Sequence, residues 1–390
     1  MNMQNISKFG LSERGFLPSE TPIKVIDSKN SAVSNISELT NELPKLMLTN
    51  KLRTQINKFK PNDLDVDIQD FTNEELSLLF SQLSFLSHAY VLGDKLPSSA
   101  LPESLAKPWV KIAEKFGRPP VLSYASYCLS NWFKIDENQN IGLDNVALIN
   151  NFLGGIDEDW FVTIHVCIED AAGPALNSVL NIVQNNLFND EKALISELGT
   201  IHNSLLEVNR IFRLMPEKCD PYIYYHRVRP YIFGWKNNPD LPDGLIYKGQ
   251  FDNKPQFFRG ETGAQSSIVP TLDALFSVVH EKDELREYLD EMKLYMPVKH
   301  QALIKYIEEN SKFNKYEFSS NINLLRDQCL EQMSIFRSQH LQYAADYIHK
   351  QSVKTTLFGT GGSVIRGTGG TPFMKYLKKH RDETDLSKKN

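Results

Sequence analysis

The chain has 390 residues, of which 41% are hydrophobic and 23% charged, enough to bury a sizeable core in one large or two moderate domains. Its net charge of −5 argues against nucleic acid as a partner, and no apolar run nears the roughly 20 residues of a membrane helix. The opening residues Met1 to Lys8 lack the charged-then-apolar order of a secretory signal, so a cytoplasmic protein is expected.

The predicted elements are nearly all helical. Residues 1–35 read as irregular, with Gly15, Pro18 and Pro22 as breakers, and helices follow over 37–57, 72–93, 101–116 and 119–134. Thr72 and Glu75 have the spacing of a capping box, and Pro119-Pro120 suits the first turn of the fourth helix. The polar stretch from Lys134 to Gly142 and the break at Gly154-Gly155 divide a small, mostly helical N-terminal domain, 1–154, from a large helical one, 155–378. In the second, helices are predicted over 159–186, 189–215, 221–233, 264–281, 282–294, 298–310 and 318–351. Only 244–249 reads as strand, and the long irregular segment 236–262 is of the kind that carries function. A glycine-rich lid, 352–371, and a charged, frayed tail, 379–390, complete the chain.

Cys128, Cys167, Cys219 and Cys329 lie far apart, with no CxxC, zinc or haem-attachment spacing. They read as reduced core thiols. There is no Ser/His/Asp elbow, no HExxH and no metal-binding carboxylate cluster.

Two histidines stand out. Helical spacing gathers Met333, Phe336, Tyr343, Ala344 and Tyr347 around His340, an oily face with one imidazole in it. That face suits a large flat apolar cofactor held through one nitrogen, although a hydrogen-bonded core histidine has the same pattern. Arg337, one turn away, would suit an acidic edge of such a cofactor. A second helix places His165 between Phe161, Ile168 and Ala172. The pair reads as two axial ligands, as one ligand with one distal group, or as two unrelated core residues. His88, His202, His280, His300, His349 and His380 read as solvated or capping.

Arg229, in the aromatic run from Tyr222 to Trp235, reads equally as a cation–π packing element or as an anchor for an acidic ligand. Pro230 behind it disfavours α geometry at the arginine. Near the C-terminus two boxes, Gly359 to Ser363 and Gly367 to Thr371, match neither a Walker loop nor GxGxxG. Thr371-Pro372 reads as a helix start, whose amides favour an anion such as a carboxylate.

Six ordered blocks of this chain together resemble the indoleamine 2,3-dioxygenase family: 118–132, 160–172, 229–244, 260–274, 336–342 and 367–371. The resemblance covers about residues 40–378. It implies an all-α fold in which a small N-terminal helical domain caps a large haem-binding domain. It also implies haem b (iron protoporphyrin IX), with His340 as proximal iron ligand and Arg337 on a propionate. Phe161 would pack on the indole and Arg229 would take the substrate carboxylate. Thr368 would close over the amino-acid end, with Thr360 as the competing choice, and Tyr124 and Thr262 would line the pocket. Three positions depart from the vertebrate pattern: His165 replaces a serine, Tyr224 a phenylalanine and Tyr127 a cysteine. His165 then resembles the distal histidine of the related tryptophan 2,3-dioxygenases, which accepts the indole N–H.

The implied reaction inserts both atoms of O2 across the indole C2–C3 bond of L-tryptophan, giving N-formylkynurenine, with an electron donor keeping the haem ferrous. The alternatives are a haem enzyme for another indole, a non-catalytic O2- or haem-binding protein, and a bis-histidine electron carrier.

Overall fold

The computed structural model describes residues 6–279, 281, 284–352 and 373–388. The architecture is helical, as the sequence predicts. The main helices are α1 (Ser31–Asn41), α2 (Asn73–Leu92), α3 (Glu103–Phe116), α4 (Ile156–Gln184), α5 (Glu191–Phe212), α6 (Ile268–Phe276), α7 (Val298–Asn310), α8 (Ser320–Ala344) and α9 (Phe373–Leu386). The capping box is present: Thr72 Oγ1 accepts from the Glu75 amide at 3.2 Å and the Glu75 carboxylate accepts from the Thr72 amide at 2.8 Å. None of the described helices is long and apolar enough to cross a membrane.

Two apolar cores form. One gathers α1, α2 and α3 with Trp132, Phe152, Trp235 and Tyr247. The other gathers α4, α5, α6 and α8 with Phe9 and Phe16 from the N-terminal segment. Helix α4 contributes to both, through Val162 and Val166 on one side and Ile164 and Ile168 on the other. It is therefore the element best placed to present side chains at their junction.

Several predicted elements differ. The segment 37–57 is not one helix: α1 ends at Asn41, and two short helices follow, Leu43–Leu48 and Leu52–Ile56. Asn50, at φ 54°, turns the chain between them. The segment 119–134 is also not a helix. It runs irregularly to one wide turn, Ala125–Leu129, and then enters strand β1 (Trp132–Lys134), antiparallel to β2 (Val146–Leu148). The cause is long-range capture of its amides. His88 Nε2 accepts from the Leu122 amide at 2.9 Å, and Gln265 Oε1 accepts from the Tyr124 amide at 2.9 Å. Donors held this way cannot join a helical ladder. The expected strand near 244–249 is present as β3 (Leu245–Tyr247).

The tail forms α9 rather than fraying. Thr384 is buried against α8, Arg337 Nη1 donates to its hydroxyl, and Lys379 pairs with Glu281 at 2.9 Å. His88 and His300 are buried, not solvated. His88 Nδ1 donates to the Tyr231 carbonyl at 2.8 Å, and His300 stacks on Phe16 at 4.3 Å. All four cysteines are buried and free.

Candidate active site

Phe161, His165 and Glu169 are spaced four apart on α4 and share one face of it. His165 Nδ1 lies 2.7 Å from the carbonyl oxygen of Phe161. A carbonyl only accepts, so Nδ1 carries the proton and Nε2 carries a lone pair. Burial lowers the pKa of the ring, which keeps it neutral. Its neighbours are Phe161, with ring centroids 4.5 Å apart, and Tyr124, edge-on at 5.8 Å.

A chain of ring contacts leads from there to His340. It passes from Phe161 to Tyr224 at 4.9 Å, to Tyr347 at 5.6 Å and to Tyr343 at 5.8 Å. It continues to Phe212 at 4.9 Å and ends at His340 at 6.4 Å. The His340 ring makes no hydrogen bond to a described residue. Desolvation pushes its pKa down to about 4, helped by the nearby His165. Yet His340, His165 and Phe161 all keep partial accessibility. Two neutral imidazoles, from α4 and from α8, therefore stand within reach of each other's charge, linked by a run of aromatic rings.

The segment 258–266 is tied to Tyr124 and Glu169 by hydrogen bonds. Gly234 and Gly260 let two backbone stretches meet: a Cβ on Gly234 would stand 2.1 Å from the Gly260 nitrogen. This contact and the bond from the Glu261 amide to the Ile232 carbonyl, 3.0 Å, fix the loop. Gln265 bridges it to Tyr124, donating to the Gly260 carbonyl at 2.9 Å while accepting from the Tyr124 amide. Glu169 Oε1 accepts from Tyr124 Oη and from Ser266 Oγ, both at 2.9 Å. Burial raises the Glu169 pKa to about 7, against the pull of those two donors. Thr262 caps the turn Gly263–Gln265 with its hydroxyl, 3.4 Å from the Ala264 amide.

The structure thus joins His165, Phe161, Tyr124, Tyr127 and Tyr224 by direct ring contacts, Tyr127 meeting Phe161 at 6.3 Å, and His340 is reached from them through Tyr347, Tyr343 and Phe212. Arg229 lies beside Tyr224, within reach of its charge, with its guanidinium over the rings of Tyr225 at 5.3 Å and Phe233 at 5.2 Å. Contrary to the expectation from Pro230, Arg229 is α-helical, φ −53°, ψ −40°. It lies in a continuous helical run, 221–232, whose wide turn Tyr224–Val228 already interrupts the ladder where the proline lacks its amide. Arg337 is buried in an ion pair with Asp273 at 2.6 Å. Thr368, Thr360 and both glycine boxes lie outside the described residues.

Four residues escaped the sequence reading: Glu169, Gln265, Asp273 and Glu261. Glu169 was visible in principle, as a carboxylate one helical turn from His165 inside an apolar run. Asp273 has no local signal for its long-range pairing with Arg337, and the loop residues Glu261 and Gln265 have no periodicity to read.

The family model described as indoleamine 2,3-dioxygenase matches residues 5–387. Indoleamine 2,3-dioxygenase 1 of Rattus norvegicus is 32% identical over 358 residues, covering 89% of this chain and 87% of the relative. Indoleamine 2,3-dioxygenase of Saccharomyces cerevisiae is 30% identical over 426 residues, covering 97% and 92%. Indoleamine 2,3-dioxygenase 2 of Homo sapiens is 29% identical over 359 residues, covering 89% and 87%.

Proposed function

The chain belongs to the indoleamine 2,3-dioxygenase family, and from that premise we propose that it is a haem-dependent dioxygenase opening the indole ring of L-tryptophan to N-formylkynurenine. The observation that carries the reading is the pair of neutral imidazoles on α4 and α8 within reach of each other's charge, one of them with its Nε2 lone pair fixed by a backbone carbonyl.

The residues fit a haem. His340 is a neutral imidazole without a hydrogen-bond partner among the described residues, the state an iron takes as ligand. Phe212, Tyr343 and Tyr347 form apolar wall beside it. Arg337, one turn away, is the nearest cation on α8 for a propionate, with Asp273 as its partner. When bound, the haem supplies the iron chemistry by which O2 reacts.

The protein's own share is positioning and exclusion of water. Phe161 offers its ring face to the indole, and the angle to His165 is held by the backbone bond between these two residues. His165 Nε2 accepts the indole N–H. Arg229 takes the substrate carboxylate from its place over Tyr225 and Phe233. The His165 Nε2 lone pair need only accept the indole N–H hydrogen bond, with no separate general base. Turnover of L-tryptophan by the reduced, haem-loaded protein tests the reading. A ferric spectrum that is low-spin without added ligand would instead support iron held by both His165 and His340.

A further inference from the structure

His88 lies on α2 and is fully buried. Its Nδ1 donates to the Tyr231 carbonyl at 2.8 Å, and its Nε2 accepts from the Leu122 amide at 2.9 Å. Neither partner is on α2: they lie 143 and 34 residues further along the chain. The ring packs against Trp235 at 4.7 Å and stands edge-on to Trp109 at 6.2 Å. Burial pushes its pKa down to about 3, against the pull of the Tyr231 carbonyl. The imidazole is thus neutral, with one donor and one acceptor, and both are used.

Each partner sits two residues from a side chain of the candidate site. Leu122 precedes Tyr124, whose ring is edge-on to His165 at 5.8 Å and whose amide is held by Gln265 at 2.9 Å. Tyr231 follows Arg229 at the end of the helical run 221–232, where carbonyls lose their intrahelical donors. The Trp235 amide, which would reach the Tyr231 carbonyl in a continued helix, bonds instead to the Phe258 carbonyl at 2.8 Å. His88 takes its place. Two residues beyond Tyr231, Phe233 carries one of the rings under the Arg229 guanidinium, at 5.2 Å. Core packing needs only the ring; here both nitrogens tie separate segments of the site to one helix.

We infer that His88 is a positioning residue for the amino-acid end of the substrate: one imidazole fixes the segment bearing Tyr124 against the helical run bearing Arg229. This rests on Arg229 taking the substrate carboxylate, as proposed above. Without His88 the Leu122 amide is left unpaired in the core, and the Tyr231 carbonyl is free to turn toward other donors. Arg229 and Phe233 flank that carbonyl, and a displacement of about 1 Å at a substrate-positioning group is enough to weaken its contact severely.

The experiment compares His88→Leu, which bonds to neither group, with His88→Gln, which keeps a donor and an acceptor, in the haem-loaded protein. It reads Kd for L-tryptophan and for tryptamine from the perturbation of the haem absorbance, together with kcat, KM and Tm. His88→Leu should weaken L-tryptophan by about tenfold and tryptamine, which has no carboxylate, far less. His88→Gln should recover part of the loss. In an Arg229→Gln background the effect of His88→Leu on L-tryptophan should largely vanish, because the two changes act through one contact. A lower Tm with the ratio of the two Kd values unchanged makes His88 a packing residue and overturns the inference. Loss of haem loading in both variants, or an undiminished effect in the Arg229→Gln background, overturns it too. If Arg229→Gln alone leaves the ratio unchanged, the role of Arg229 is what fails, and the inference falls with it. The expected binding pattern without turnover of any indole upholds the positioning role and overturns the proposed reaction instead.

Discussion

The Phe161 carbonyl sets the tautomer of His165. At 2.7 Å it can only accept, so the imidazole Nδ1 is the donor and the ring presents an unprotonated Nε2 to the pocket. Desolvation keeps the ring neutral. A group of this kind accepts one hydrogen bond from a substrate N–H and gives nothing back.

His165→Ala should therefore retain haem while turnover falls by about ten- to a hundredfold. Removing one partner of a buried hydrogen bond costs on the order of 1–3 kcal/mol, and each 1.4 kcal/mol is a factor of about ten. Steady-state kcat with L-tryptophan is the measurement. Unchanged kinetics would remove His165 from the mechanism.

His340→Ala should abolish haem uptake, because His340 is the one histidine of α8. The absence of a Soret band, with far-UV helicity retained, is the expected outcome. A surviving band of full intensity would move the iron ligand elsewhere.

Arg229→Gln should raise KM for L-tryptophan by about ten- to a hundredfold, the worth of a charge-assisted bond of roughly 1.5–3 kcal/mol. Tryptamine has no carboxylate, so its KM should move far less. Equal effects on both substrates would make Arg229 a packing residue, held over Tyr225 and Phe233 for its cation–π contacts alone.

Stability should fall as pH rises from about 5 to 8. Glu261 is raised by burial to about 8 and Glu169 to about 7. Between the ordinary carboxyl value and these, the folded state binds more protons than the unfolded one, so ΔG of unfolding decreases with pH. Their contribution is complete below about 4.5 and is lost as pH climbs through 7 to 8. Glu261→Gln should flatten the slope of Tm against pH over that window. Identical slopes for the two proteins would mean that Glu261 is not buried as a neutral carboxyl.

The helices that build the pocket were legible because their apolar positions repeat at 3.6 residues: α4 and α8 showed Phe161, His165 and His340 directly. What stayed hidden depends on distance in space. The segment 119–134 is apolar enough for a helix, but His88 and Gln265 take two of its amides from 34 and 141 residues away. The tail is charged enough to fray, but Thr384 is the partner of Arg337, 47 residues upstream. Glu261 carries the same limitation into the site. A lone glutamate in a glycine-containing loop has no local signal of burial; the close contact of Gly234 with Gly260, the Glu261–Ile232 backbone bond and the Gln265 bridge hold that loop in the interior.

The most direct test of the central claim is to reduce the haem-loaded protein anaerobically, then add O2 and L-tryptophan and follow absorbance. N-formylkynurenine should accumulate over many turnovers. Full haem occupancy, a spectral response to O2 and no product would contradict the account.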